Sequence, residues 1–277
     1  LTKAPTSSEC PNWNIAEIPF ERIDKSAIRD DEFLFLTLAS ASFVEILAET
    51  FSENLVEHFR GDAEIVGWLT HCWQREEVQH GRALKAYVQA VWPEFDWDGA
   101  YEAFRVEYTL LCTAEQLEPS RALELIARCV VETGTSSFYR ALQQYAREPV
   151  LRQLLGHIKS DEVAHFNHFR YFFAGYQEKA PQNISSVFGT IWRRLREIRN
   201  EDAYIAFKHV YTGRHREQPF NELDWQQYNQ TVKRLARNYY PYTMAMTMLI
   251  KPIPMSQVAK NTLHWPLVGL ARLISFA

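Results

Sequence analysis

Residues Trp73 to Gly81 read W-Q-R-E-E-V-Q-H-G, and residues Ser160 to His165 repeat the pattern as S-D-E-V-A-H. In each stretch a glutamate and a histidine stand three apart, Glu77 with His80 and Glu162 with His165. On a helix that spacing puts both side chains on one face. A single Glu-x-x-His is weak evidence, because ordinary composition yields roughly half a match by chance in a chain this long. The pair gains weight from a lone glutamate upstream of each: Glu45 lies 32 residues before Glu77, and Glu132 lies 30 residues before Glu162. Such intervals fit one helix out, a reversal and one helix back, at about 1.5 Å rise per residue. The chain therefore reads as all-α, with two helical hairpins that each bring one Glu and one Glu-x-x-His. That is the inward-facing set with which a helical bundle holds two metal ions.

Four carboxylates and two imidazoles suit iron or manganese and are poor ligands for copper(I). Their four negative charges match two divalent cations. Without metal, burial would force several carboxylates to stay protonated, since an unpaired buried charge is very costly. Small residues on the helical face of Glu45, namely Ala41, Ala48 and Ser52, leave room beside it. Around the six candidate ligands, three residues carry two readings each. Asp161 is either a solvated helix position or an acceptor orienting a ligand histidine, His80 across the bundle. Trp73 is a core aromatic, or a hydrogen-bonding or electron-relay residue. Thr135, one turn beyond Glu132, either bonds its own backbone or faces the metals as a proton donor to reduced dioxygen. His58, His71, His157 and His168 lack partner spacing and read as packing or surface residues.

With 277 residues, 14% of them aromatic, the chain can bury one substantial core. A formal net charge of −4 and the lack of a long basic run argue against nucleic acid. Cys10, Cys72, Cys112 and Cys129 include no C-x-x-C pair, so a zinc ribbon or rubredoxin-like centre is not expected, and a reducing compartment suits them best. Residues 1 to 12 read as an exposed arm without signal-peptide features, which makes the cytoplasm the default location. Helices are expected at about Ser26–His58, Ala63–Val91, Trp97–Cys112, Pro119–Ala146, Glu148–Phe173, Val187–Arg199, Glu201–Tyr211, Asn221–Tyr239 and Thr262–Ala277. Gly61-Asp62 supplies the first break and cap, and Gly175 is the expected stop of the fourth ligand helix. Phe33 to Ala48 is largely apolar, but it falls short of the ~20 residues a bilayer span needs and contains Glu45. The mostly apolar last segment is expected to pack on the bundle.

The six candidate ligands and their neighbours resemble the soluble acyl carrier protein desaturases of the ferritin-like superfamily. Trp73 sits four before Glu77, Gly81 follows His80, Thr135 lies three after Glu132, Ser160-Asp161 precede Glu162, and Trp13 stands in N-W-N-I-A-E-I-P-F. The resemblance covers residues 13 to 175. It implies a ferritin-like four-helix bundle with peripheral helices at 26–200, an N-terminal arm at 1–25, and a helical extension at 201–277 packed on the bundle. It also implies two Fe(II) ions, with manganese as the alternative, each bound terminally by Glu45 or Glu132 and by one histidine, with Glu77 and Glu162 bridging. The activity implied is oxygen-dependent desaturation of a fatty-acyl chain on a carrier protein or other thioester, fed by a ferredoxin-type donor in a homodimer. Arg193, Arg194, Arg196 and Arg199 form either a patch for an acidic carrier protein or a solvated basic face. Rival readings are a di-iron hydroxylase, an N-oxygenase or lyase acting on a small molecule, and a non-enzymatic iron-handling protein. A radical subunit like that of ribonucleotide reductase fits less well, because Leu84 stands where that family has its tyrosine and Glu45 where it usually has aspartate.

Overall fold

The computed structural model describes residues 10–112, 117–197 and 201–276; residues 1–9 of the expected arm and Arg199 lie outside them. Helices dominate, and there is no strand among the described residues. Three 3-10 turns, Ile15–Glu17, Phe20–Arg22 and Lys25–Ala27, lead into helix α1, Glu32–Ile46. Asp31 starts α1 by accepting the Leu34 N–H at 2.9 Å, so the helix begins six residues later than its pattern suggests. The expected continuous helix to His58 breaks at Leu47, where α1 gives way to α2, Ala48–His58, through a 40° bend. The bend follows the closest approach of α1 to the helix bearing Glu77, where Gly81 lies against Ile46. A Cβ on Gly81 would stand 2.6 Å from the Ile46 backbone nitrogen.

Asp62 caps α3, Ala63–Trp68, after Gly61 takes a positive φ of 93°. A π-helical segment, Leu69–Trp73, then joins α3 to α4, Gln74–Val91. Such segments insert an extra residue per turn and are frequent at functional sites. Helix α5 is Trp97–Thr109. Helix α6 is Arg121–Tyr145, so Pro119 precedes its N-cap, Ser120, instead of occupying its first turn. Glu148 caps α7, Pro149–Lys179, by accepting the Val150 and Leu151 N–H groups at 3.1 and 2.7 Å. This helix runs through Gly175, which keeps a negative φ and therefore does not form the left-handed stop expected there.

Helix α1 packs on α4, α6 packs on α7, and α4 meets α7 between the two pairs. Two apolar clusters occupy opposite ends of this assembly. One gathers Leu34 to Phe43 of α1, Ala83 to Val91 of α4, Tyr139 and Leu142 of α6, and Val150 to Ile158 of α7. The other gathers Leu55 and Phe59 of α2, Trp73, Ala122 to Val130 of α6, and Phe166 to Phe173 of α7. In α4, α6 and α7 the candidate ligands fall between the two clusters, and Glu45 lies at the end of α1, between its apolar residues and those of α2. They therefore form one polar layer across the middle of the core. Helix α4 ends in the first cluster and α6 begins in the second, so the connection through α5 crosses the length of the assembly.

Beyond α7 follow α8 (Ile184–Glu197), α9 (Glu201–Arg214), α10 (Glu222–Tyr239), α11 (Tyr242–Ile250) and α12 (Gln257–Phe276). Helix α11 was not visible in the sequence pattern, and α12 starts earlier than expected, at Gln257 and not Thr262. Ile205, Phe207, Trp225 and Leu235 belong to the first apolar cluster, and Met248 and Ile253 to the second, so residues after 200 share the same core. No single helix among the described residues is long and apolar enough to cross a membrane.

One expectation about the cysteines is corrected. Cys10 and Cys72 are joined as a disulfide, whereas Cys112 and Cys129 are thiols. Sequence separation of 62 residues hid the pair, which the packing of the N-terminal segment on the π-helical turn brings to a Cα–Cα distance of 5.2 Å. The described end of the expected exposed arm is accordingly half-buried at Cys10 and Pro11, and Trp13 is buried.

Candidate metal centre

The layer between the apolar clusters holds two interlocking groups of buried donors: Glu45, Glu77, His80 and Glu162, and Glu77, Glu132, Glu162 and His165. Within each group one oxygen or nitrogen per residue lies within 4.8 Å of all the others. Glu77 and Glu162 belong to both, so α4 and α7 each supply a shared carboxylate and one imidazole, while α1 and α6 supply one carboxylate each. His80 Nδ1 lies 3.3 Å from Glu162 Oε1 and 3.8 Å from Glu45 Oε2. His165 Nδ1 lies 3.0 Å from Glu77 Oε1 and 3.6 Å from Glu132 Oε2. His80 Nδ1, His165 Nδ1, Glu132 Oε2 and Glu162 Oε1 are fully buried and have no hydrogen-bond partner among the described residues. Buried polar atoms are normally satisfied. Four that are not, all turned toward one another, are what two bridged cations would coordinate, and the donors fit such a pair.

The far nitrogen of each imidazole is held from the opposite hairpin. His80 Nε2 is 3.0 Å from Asp161 Oδ2, and His165 Nε2 is 2.8 Å from Glu76 Oε2. A carboxylate there accepts a hydrogen bond from Nε2–H and leaves the Nδ1 lone pair for a ligand, fixing tautomer and ring orientation. Asp161 also accepts from Trp13 Nε1 at 2.6 Å, and Trp73 Nε1 donates to Glu132 Oε1 at 3.3 Å. Thr135 donates to Glu162 Oε2 at 2.6 Å and lies 3.3 Å from the Val131 and Glu132 carbonyl oxygens, so its hydroxyl faces the donor layer while staying close to its own helix backbone. Tyr139 donates to Glu45 Oε1.

Sequence reasoning missed Glu76 and Tyr139. For Glu76 the signal was present: an acidic residue directly precedes the shared glutamate in both motifs, Glu76 before Glu77 and Asp161 before Glu162. For Tyr139, two turns beyond Glu132, only the fold shows that its hydroxyl reaches across to α1.

The metal-free electrostatics are those of a crowded acidic cluster. Burial, then the charges of Glu162 and Glu45, push Glu77 well above the usual carboxylate range. Burial and Glu162 push Glu132 up to about 8. Burial alone would lower His80, but Asp161, Glu162 and Glu45 around it raise it well above its usual value. The same holds for His165, where burial is outweighed by Glu132, Glu76 and Glu77. Burial opposes ionisation of Glu45, yet His80 beside it holds its carboxyl below the ordinary range. Protons thus do in the metal-free site what cations would otherwise do, neutralising charge that the apolar surroundings cannot solvate.

Among the described arginines of α8, Arg193 and Arg196 are exposed and Arg194 is half-buried. Arg193 makes two bonds to Glu118, at 3.1 and 2.6 Å, and the side chain of Arg194 is largely buried beside Glu124. No protein-family model and no curated protein sequence matches the chain.

Proposed function

We propose that the chain is a ferritin-like dinuclear metal protein and acts as an oxygen-dependent di-iron oxidoreductase, a desaturase of a fatty-acyl thioester. The observation that carries this reading is the pair of interlocking donor groups sharing Glu77 and Glu162, with their unpartnered atoms turned inward. The long connection between the hairpins supports it further, since one such crossover is the topology of ferritin-like bundles. Glu45 and His80 would hold one ion, Glu132 and His165 the other, and Glu77 and Glu162 both. Iron held by these residues would supply the redox chemistry for oxygen-dependent attack on an unactivated C–H bond.

The residues of the chain prepare that chemistry. Asp161 and Glu76 fix the imidazoles. The apolar clusters on both sides exclude water and keep the site dry. Thr135 holds a proton on Oγ1 beside the shared carboxylate of Glu162, where it can be passed toward reduced oxygen. A cleft of about 480 Å³ lies beside the bundle where α6, α10, α11 and α12 meet, lined by Arg140, Gln144, Asn238 and Arg272 among tyrosine side chains. Its two arginines suit the anionic head of a carrier-bound or nucleotide thioester. Arg140 directly follows Tyr139, the partner of Glu45.

The test is metal content together with lipid profile. Purified chain is expected to retain two irons, and its Glu162→Ala variant fewer. A host making the intact chain is expected to gain acyl species lacking two hydrogens, absent with the variant. Species gaining one oxygen would instead assign hydroxylation, and iron accumulating far beyond two per chain would assign storage.

A further inference from the structure

Cys10 and Cys72 stand where a two-electron carrier for the metal centre would be placed. Cys72 lies in the π-helical segment, 7% exposed, and its Sγ is 3.7 Å from Glu76 Oε2. That same oxygen accepts from His165 Nε2 at 2.8 Å, so a continuous contact path runs from the sulfur to a ligand imidazole. Trp73, the next residue, reaches Glu132. On the other side of the bond, Cys10 is only half-buried. Three residues later Trp13 donates to Asp161, the acceptor of His80 Nε2, and the Trp13 carbonyl is held by Gln79 at 3.0 Å. One disulfide therefore ties together the two segments that support the two candidate metal positions, joining a buried residue, Cys72, to a half-buried one, Cys10.

Resting on the di-metal reading of the site, we infer that Cys10 and Cys72 are a redox-active pair that delivers two electrons to the metal centre. An external dithiol attacks the Sγ of Cys10, the less buried residue of the pair, and the Cys10–Cys72 bond breaks. Cys72 leaves as a thiolate beside Glu76 and takes a proton. The second thiol of the reductant then releases Cys10, so the chain carries two thiols and the reductant a disulfide. In the delivering step the two thiols lose two electrons and two protons and form one S–S bond. Two trivalent metal ions each gain one electron and become divalent, and the protons pass to water. In the disulfide state Cys72 has no S–H. In the dithiol state it offers one to Glu76, so the redox state of the pair is also felt by the carboxylate that orients His165. A purely structural staple would need neither the contact with Glu76 nor the asymmetry of exposure.

The experiment uses the full chain, reduced with dithiothreitol, desalted without oxygen, and loaded with two equivalents of Fe(II), with Zn(II), or with nothing. After brief exposure to air, free thiols are alkylated and located by peptide mass spectrometry. The expected result is a Cys10–Cys72 bond forming at least about tenfold faster with iron than with zinc or no metal. Cys112, which lies outside the network, should stay alkylatable in all three. The Cys10→Ser variant, which leaves Cys72 beside Glu76, should still bind two irons. Its ferric absorbance should persist when oxygen is removed and dithiothreitol added, while that of the unaltered chain fades. Equal rates of bond formation with iron, zinc and no metal overturn the inference, as does equal fading in the variant. Iron that never reaches two per chain overturns the di-metal reading itself, whereas two bound irons with inert cysteines overturn this inference alone.

Discussion

Glu76 is the sharpest place to test how the site is built. Its Oε2 accepts from His165 Nε2 at 2.8 Å, while Asp161 performs the same service for His80 at 3.0 Å. Replacing Glu76 by Gln keeps the shape and an acceptor oxygen but removes the charge. A hydrogen bond to a charged group contributes about 1.5–3 kcal/mol and a neutral one about 0.5–1.5, so the exchange costs about 1–2 kcal/mol. That corresponds to about 5- to 30-fold in affinity, overlapping the lower part of the roughly 10- to 100-fold range typical when the partner of a ligand histidine is altered. The loss should fall on the metal position served by His165. Asp161→Asn should weaken the His80 position by a similar factor, and the double variant should show both losses. The assay is competition of Fe(II) or Co(II) against a chromophoric chelator, resolved into two binding steps, with metal-free thermal unfolding as the control for folding. Equal weakening of both steps by Glu76→Gln, or weakening below about threefold, would refute the assignment of one orienting carboxylate to each metal.

Four further outcomes are expected. Thr135→Val should leave two metals bound but lower single-turnover oxidation by about 10²-fold, with Thr135→Ser restoring most of it, because the hydroxyl on Glu162 is what differs. Gly81→Ala should destabilise the fold by about 1–3 kcal/mol in urea unfolding, because its Cβ would meet Ile46 backbone at 2.6 Å and Glu45 Cβ at 3.0 Å. The same variant should displace Glu45 and weaken the metal position it shares with His80. Tyr139→Phe should cost the metal-free protein about 1–3 kcal/mol by removing the donor to buried Glu45, and less once metal is bound, as differential unfolding with and without metal would show. Finally, Glu132 is raised from 4.5 to about 8 and Glu77 is also raised, so the metal-free fold binds their protons more tightly than the unfolded chain does. His80 and His165 are raised as well, so their stabilising contribution is full below about 6.5 and fades as pH rises through their folded values. All four shifts make metal-free stability fall as pH increases, whereas metal binding, which displaces the same protons, tightens. The gap in Tm between metal-loaded and metal-free protein should therefore widen from pH 5.5 to 8, and a constant gap would contradict the raised values.

The layer of carboxylates and imidazoles was legible in the sequence because helical spacing alone sets which side chains share a face. Glu77 with His80 and Glu162 with His165 need no tertiary information to be paired, and the matched upstream glutamates need only the length of a helix. Caps were legible for the same local reason: Asp62, Glu148 and Asn221 accept backbone N–H groups within three residues of themselves. Burial in the centre, by contrast, came from the two apolar clusters closing on either side, a property of four helices at once.

What only the tertiary structure decided are the contacts between residues far apart in the chain. The Cys10–Cys72 bond, the reach of Tyr139 to Glu45, the seating of Trp13 on Asp161 and the neutralisation of Arg193 by Glu118 span 62 to 148 residues. No periodicity encodes such pairs, because they depend on how separate helices are rotated and staggered against one another. The bend at Leu47 and the passage of α7 through Gly175 have the same origin. A local rule names the residues able to break a helix, and packing selects where the break occurs. The sequence by itself thus determined an all-α chain with six ligand-type side chains on four helical faces. The tertiary structure decided that these faces meet, which of their buried atoms are left without a hydrogen-bond partner, and that a disulfide closes over one of the carboxylates that hold the imidazoles.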